Sequence, residues 1–177
     1  MRLKITYYGN PLLRKKAQPV GSLTPEVKQL AQDMVETMFL ENGIGLAANQ
    51  VGSLLRIFVT AVPKKDDEGR LQPGQVKVYI NPEIIEFSDD KVVYNEGCLS
   101  IPGLRGEVSR PFRVKIRALD IDGNAFEEEL EGLDSVCVCH ENDHLNGVLF
   151  IDRIKGKERD EMEKKLKQIK KDYHLGQ

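Results

Sequence analysis

The segment His140-Glu141-Asn142-Asp143-His144 constrains this chain most. Two histidines four residues apart can grip one ion when they lie one turn apart on the same face of a helix. Leu133, Val136, Cys137, His140 and His144 share that face, and Asn146-Gly147 supplies a stop, so the spacing predicts a helix through this stretch. Glu141 lies beside such an ion, where its carboxylate can take a proton from a water that the cation has acidified to a pKa of about 7.

A catalytic ion of this kind needs a third protein ligand and an open fourth position. Downstream sources are poor. Phe150 stands where a longer histidine pattern would place its third ligand, and Glu158, Glu161 and Glu163 fall in an alternating charge run that reads as a solvated helix face. Upstream, Glu96-Gly97-Cys98-Leu99-Ser100 leaves a strand 42 residues before His140, and a Cys98 thiolate could complete a His2Cys set. Taken alone, Cys98 reads equally as a small buried hydrophobe. A further segment, Gly43-Ile44-Gly45-Leu46-Ala47-Ala48-Asn49-Gln50, has small residues that let backbone approach a ligand and a terminal amide able to donate. By itself it reads as a helix end followed by a packed turn.

The surroundings of these motifs indicate one soluble globular domain over residues 1–177. Hydrophobic residues make up 40% and charged residues 31%, with a mean hydropathy of -0.40. No apolar run approaches the roughly 18 residues of a membrane span. The N-terminus lacks the apolar core of a signal peptide, which points to the cytoplasm and no membrane partner. Lys+Arg 26 against Asp+Glu 28 leaves a net charge of -2, which argues against a nucleic-acid footprint spread over the whole surface. Cys98, Cys137 and Cys139 are an odd set without an export signal, so thiols or metal ligands are expected rather than disulfides.

Element order is α+β. Thr24-Pro25-Glu26 opens a helix whose apolar stripe is Val27, Leu30, Ala31, Met34 and Met38, ending near Asn42-Gly43. Strands are expected over residues 56–62, 76–80, 82–87, 91–95, 112–120 and 126–131, with Asp122-Gly123 as a hairpin turn and 64–74 as a surface loop. A charged C-terminal helix over 155–173 carries Met162, Leu166, Ile169 and Tyr173 on one stripe. Its eight Lys/Arg against five Asp/Glu give +3, on a remainder of -5.

The three segments GIGLAANQ, EGCLS and HENDH, in this order and at these separations, resemble the signature motifs of the peptide deformylases. The likeness extends to Gly9-Asn10-Pro11, Ile80-Asn81-Pro82, Ser100-Ile101-Pro102-Gly103 and Arg110-Pro111, from about residue 5 to Arg153. It implies a central HExxH helix surrounded by small, mostly antiparallel sheets. It also implies removal of the formyl group from the N-terminal formyl-methionine of new polypeptides. By the family pattern Cys98, His140 and His144 hold one divalent metal, ferrous iron in the cell, with zinc, nickel or cobalt able to substitute. Glu141 would be general acid and base, Gln50 and the Leu99 N–H would stabilise the oxyanion, and Gly45 would align the peptide. Ile44, Leu133, Val136 and Cys137 would line the methionine pocket, and the C-terminal helix would offer a ribosome contact without sequence-specific nucleic-acid binding.

One position departs from the pattern: Cys139 stands where glutamine is common, about 100° around the helix from His140 and so off the metal. Partners for the second ring nitrogens of the histidines are expected from Asp143, Ser100 or backbone carbonyls, with Glu96 and Arg110 as a bracing pair. A zincin-type endopeptidase and a noncatalytic peptide-binding module are the competing readings. The missing third histidine opposes the first. Glu141 and Gln50 oppose the second, because binding alone needs no general base.

Overall fold

The computed structural model describes residues 1–174. Its elements are α1 (Pro25–Leu40), β1 (Gly45–Ala47), β2 (Ile57–Thr60), β3 (Lys64–Lys65), β4 (Leu71–Gln72), β5 (Lys77–Phe87), β6 (Lys91–Cys98), β7 (Ile101–Pro111), β8 (Arg113–Leu119), β9 (Ala125–Glu131), α2 (Leu133–Leu145) and α3 (Gly156–Tyr173). Short 3-10 turns cover Pro11–Arg14, Ala48–Val51 and Phe150–Arg153. The order is α+β, as expected, with every named strand pair antiparallel.

A five-stranded sheet runs β1-β2-β5-β8-β9 and separates two apolar clusters. Successive residues of β2 face opposite sides: Ile57 and Val59 join Met34, Met38 and Leu46 beside α1, whereas Phe58 joins Tyr79, Ile116, Val138 and Leu145 beside α2. Both faces of β2 are covered, so all four of its residues are buried. The helix α2 packs against β1, β2, β7 and β9, and ten of its thirteen residues are buried. A third cluster joins Leu13, Ile101, Val108 and Phe150 to Met162, Leu166 and Ile169, docking α3 on the separate β6–β7 hairpin.

Local signals place the helices well. Thr24 Oγ1 accepts from the Val27 N–H at 3.3 Å and Pro25 opens α1, while Asn42 takes a φ of 57° just past its end. Gly123 takes a φ of 87° in the β8–β9 turn.

Strands differ more from expectation. The presumed loop over 64–74 contains the hairpin β3–β4, whose two-residue strands are too short to show an alternating pattern. Asp66 closes that hairpin by accepting from the Glu68 and Arg70 N–H groups. The strands expected over 76–80 and 82–87 are one strand, β5, carried past Asn81-Pro82 by a register shift between Ile80 and Glu83. Strand β6 extends three residues beyond 95, to Cys98. Strand β1 was hidden in a short segment of small residues, and β7 in a stretch punctuated by Pro102, Gly103 and Gly106.

Candidate active site

The histidines of α2 meet Cys98 where β6 ends. At Gly97 and Cys98 the β6–β7 register shifts and the chain turns tightly to Ile101, which points the thiol at the helix. Cys98 Sγ lies 3.3 Å from His144 Nε2, which lies 3.2 Å from His140 Nε2. One ligand atom from each residue falls within 4.8 Å of the others. A thiol and two imidazoles converging on one point form the donor set that suits zinc and the later first-row divalent metals.

Electrostatics agree with such a site. Burial and the neighbouring His140 hold the His144 ring well below its ordinary pKa, in the neutral form that ligates metals. For His140, burial acts downward but the bonds to Cys98 and Glu96 outweigh it and hold the group at about 10, with a proton that a cation would displace.

The ring of His140 is held from behind. Its Nδ1 lies 2.8 Å from Glu96 Oε1, and Glu96 also receives both Nε and Nη2 of Arg110, at 2.7 and 2.9 Å. Arg110 Nη1 reaches Asp143 Oδ2 at 2.9 Å, and Asp143 receives Arg153 at 2.6 and 2.7 Å. Burial would raise the Glu96 carboxyl, but His140 and Arg110 overcome it and hold it below the usual range. Glu96 and Arg110 therefore pair as expected. The His140 partner is thus Glu96 and not Asp143 or Ser100: Asp143 receives two arginines and the Ser100 hydroxyl accepts from Gln50. Glu96 is the buried residue of β6 just before the register shift at Gly97 and Cys98, and its reach to His140 depends on how α2 packs across the sheet.

Around this centre lies a cavity of about 570 Å³, lined by Ile44, Gly45, Leu133, Val136 and Cys137 together with Gln50, Cys98, Leu99, His140 and Glu141. The sequence candidates other than His144 thus share one cleft, and His144 sits behind it in the ligand triad. Glu141 is buried, and its Oε2 has no hydrogen-bond partner among the described residues. Burial first, then Glu96 and Asp143, push its pKa up to about 7 against the pull of His140 and Arg110. Gln50 accepts from the Ala47 N–H at 2.9 Å, which turns its amide nitrogen toward Ser100 Oγ at 3.1 Å and Cys98 Sγ at 3.4 Å. Cys139 lies off the ligand face of α2, buried in one cluster with Val138 and Leu145 and outside the ligand triad, with burial pushing its thiol up to about 11. Asn49 and Arg153 were not singled out from sequence, because their contacts cross 95 and 10 residues respectively.

The polypeptide deformylase family profile matches residues 2–160. A peptide deformylase from Nitrobacter hamburgensis is 47% identical over 153 residues, covering 86% of this chain and 87% of its own. One from Bradyrhizobium sp. strain ORS 278 is 50% identical at the same coverage. Among solved structures, a plant peptide deformylase superposes with a TM-score of 0.88 at 38% identity, over 98% of this chain and 92% of that one. A Met-Ala-Ser-bound class I type b peptide deformylase from Acinetobacter baumannii gives 0.80 at 36% identity, over 87% and 99%. Motifs, fold and relatives agree over nearly the whole length, and the chain belongs to the polypeptide deformylase family.

Proposed function

We propose that this chain, acting as one cytoplasmic domain, hydrolyses the formyl group from the N-terminal formyl-methionine of newly made polypeptides and releases formate. The observation that carries this reading is the meeting of Cys98, His140 and His144, with Cys98 and His140 lining one partly apolar cleft beside Glu141 and Gln50. Cys98, His140 and His144 are the residues that would hold a divalent ion. That ion would supply Lewis acidity toward a water and the formyl oxygen. Ferrous iron is the proposed ion in the cell, and the same donors accept zinc, nickel or cobalt.

The chain's own groups do the rest. Glu141, buried and held near neutrality, takes a proton from the attacking water and returns it to the departing amine. Gln50 Nε2 and the Leu99 N–H stabilise the oxyanion, Gln50 being pre-aimed by its bond from Ala47. Gly45 aligns the peptide beside edge strand β1, and Ile44, Leu133, Val136 and Cys137 receive the methionine side chain. The basic helix α3 provides a non-sequence-specific contact to ribosomal RNA. No helix among the described residues is long and apolar enough to cross a membrane.

The test is turnover of a formyl-Met peptide by anaerobically purified protein with its metal assayed. Glu141→Ala should retain metal yet lose roughly 10²–10⁴-fold in kcat. Near-normal turnover by that variant, or none by the metal-loaded parent, would reject the assignment.

A further inference from the structure

The 3-10 turn Ala48–Val51 touches two of the three proposed ligands with consecutive side chains. Gln50 Nε2 lies 3.4 Å from Cys98 Sγ at the end of β6, and Asn49 Nδ2 donates to the His144 carbonyl oxygen in the last turn of α2. Asn49 and Gln50 are essentially inaccessible, at 0% and 1% exposure. The turn itself is anchored: the Thr6 N–H donates to the Gln50 carbonyl at 2.7 Å, and the Ser53 N–H to the Ala48 carbonyl at 3.0 Å. It therefore bridges two proposed ligands that lie 46 positions apart in the chain.

Asymmetry between the two histidines gives this contact its significance. His140 has Glu96 behind its ring, whereas His144 Nδ1 is buried with no hydrogen-bond partner among the described residues. Ligating histidines are normally oriented through that second nitrogen. His144 must therefore be placed through its backbone, at a helix end whose carbonyls need outside donors. Leu145 O receives the Ala17 N–H at 2.8 Å and Arg56 Nη1 at 3.2 Å. His144 O receives the Gly147 N–H at 3.0 Å and Asn49, so Asn49 is the donor that reaches the ligand residue from another part of the fold. Asn49 also keeps a buried Oδ1 with no partner among the described residues, a cost that an apolar side chain of the same size would avoid.

We propose that Asn49 is a positioning residue for His144, and that with Gln50 it fixes the spacing between the His144 and Cys98 arms and thereby the hold on the metal. The proposal rests on the reading of Cys98, His140 and His144 as ligands. Full-length protein is loaded with zinc, and the rate of zinc transfer to a chelator is measured for the parent, Asn49→Thr and Asn49→Leu. Leucine fills the site without donor or orphaned acceptor, and threonine keeps a donor. Release should be fastest for leucine, about 10–100-fold above the parent as for other residues that orient ligands, with threonine between. The zinc-free denaturation midpoint serves as the structural readout. Parental release rates in Asn49→Leu, or equal rates for the two variants, would overturn the proposal, as would a lowered zinc-free midpoint with unchanged release. A parent that binds no zinc would instead defeat the ligand assignment beneath it.

Discussion

At the scale of single residues, Gly45 matters for the side chain it lacks. A Cβ there would lie 2.6 Å from Glu141 Oε1, closer than such atoms approach, and 3.0 Å from Cys137 Sγ, a tight contact. Gly45→Ala must therefore displace the carboxylate, and a shift of about 1 Å in a catalytic group can cost on the order of 10²-fold. The expected result is kcat lowered by roughly that factor with metal content retained. Unchanged kcat would show that the cleft yields to a methyl group. Cys139 is the converse case, a thiol beside a ligand in sequence but facing Val138 and Leu145 in space. Cys139→Ala should leave metal stoichiometry near that of the parent, and an emptied site on elemental analysis would refute the ligand set.

Among the elements, α3 is the one whose removal separates stability from chemistry. Its stripe of Met162, Leu166 and Ile169 is buried against Leu13, Ile101, Val108 and Phe150. Each such side chain stabilises by about 1.5–3 kcal/mol when fully buried, an upper estimate because unfolded chains already bury some surface. Tyr173 also stacks on Tyr7, which lines the cleft, with ring centroids 4.0 Å apart. Ending the chain at Ile154 should thus lower the urea midpoint by several kcal/mol's worth of stability. Hydrolysis of a short formylated peptide should persist at low temperature, because every proposed catalytic and ligand residue precedes the cut. An unaltered urea midpoint would mean that α3 contributes little to the core. The helices were readable in advance, α1 through its Thr24 cap and α1, α2 and α3 through residues spaced at a helical period. Strands β1, β3, β4 and β7 were not, because their short runs and interrupting Gly and Pro erase alternation until a partner strand supplies the pairing.

Over the whole molecule, a metal would join the β6–β7 turn to α2, two parts of the chain with separate apolar clusters behind them. Any ion bound only by the folded state stabilises by about 2.7 kcal/mol at one hundred times its dissociation constant. Adding zinc to stripped protein should therefore raise the Tm, and a chelator should reverse it. A Tm indifferent to zinc would exclude a tight site made by Cys98, His140 and His144. Sequence alone determined the local chemistry: which face of α2 carries His140 and His144, why Glu141 sits beside them, and why Cys139 turns away. Those relations depend only on helical spacing over a few residues. That Cys98 meets His144, that Glu96 backs His140, and that Asn49 reaches the end of α2 depended on strand register and on the packing of α2 across the sheet. Such contacts span tens of residues, and no local period encodes them, so only the tertiary structure could decide them.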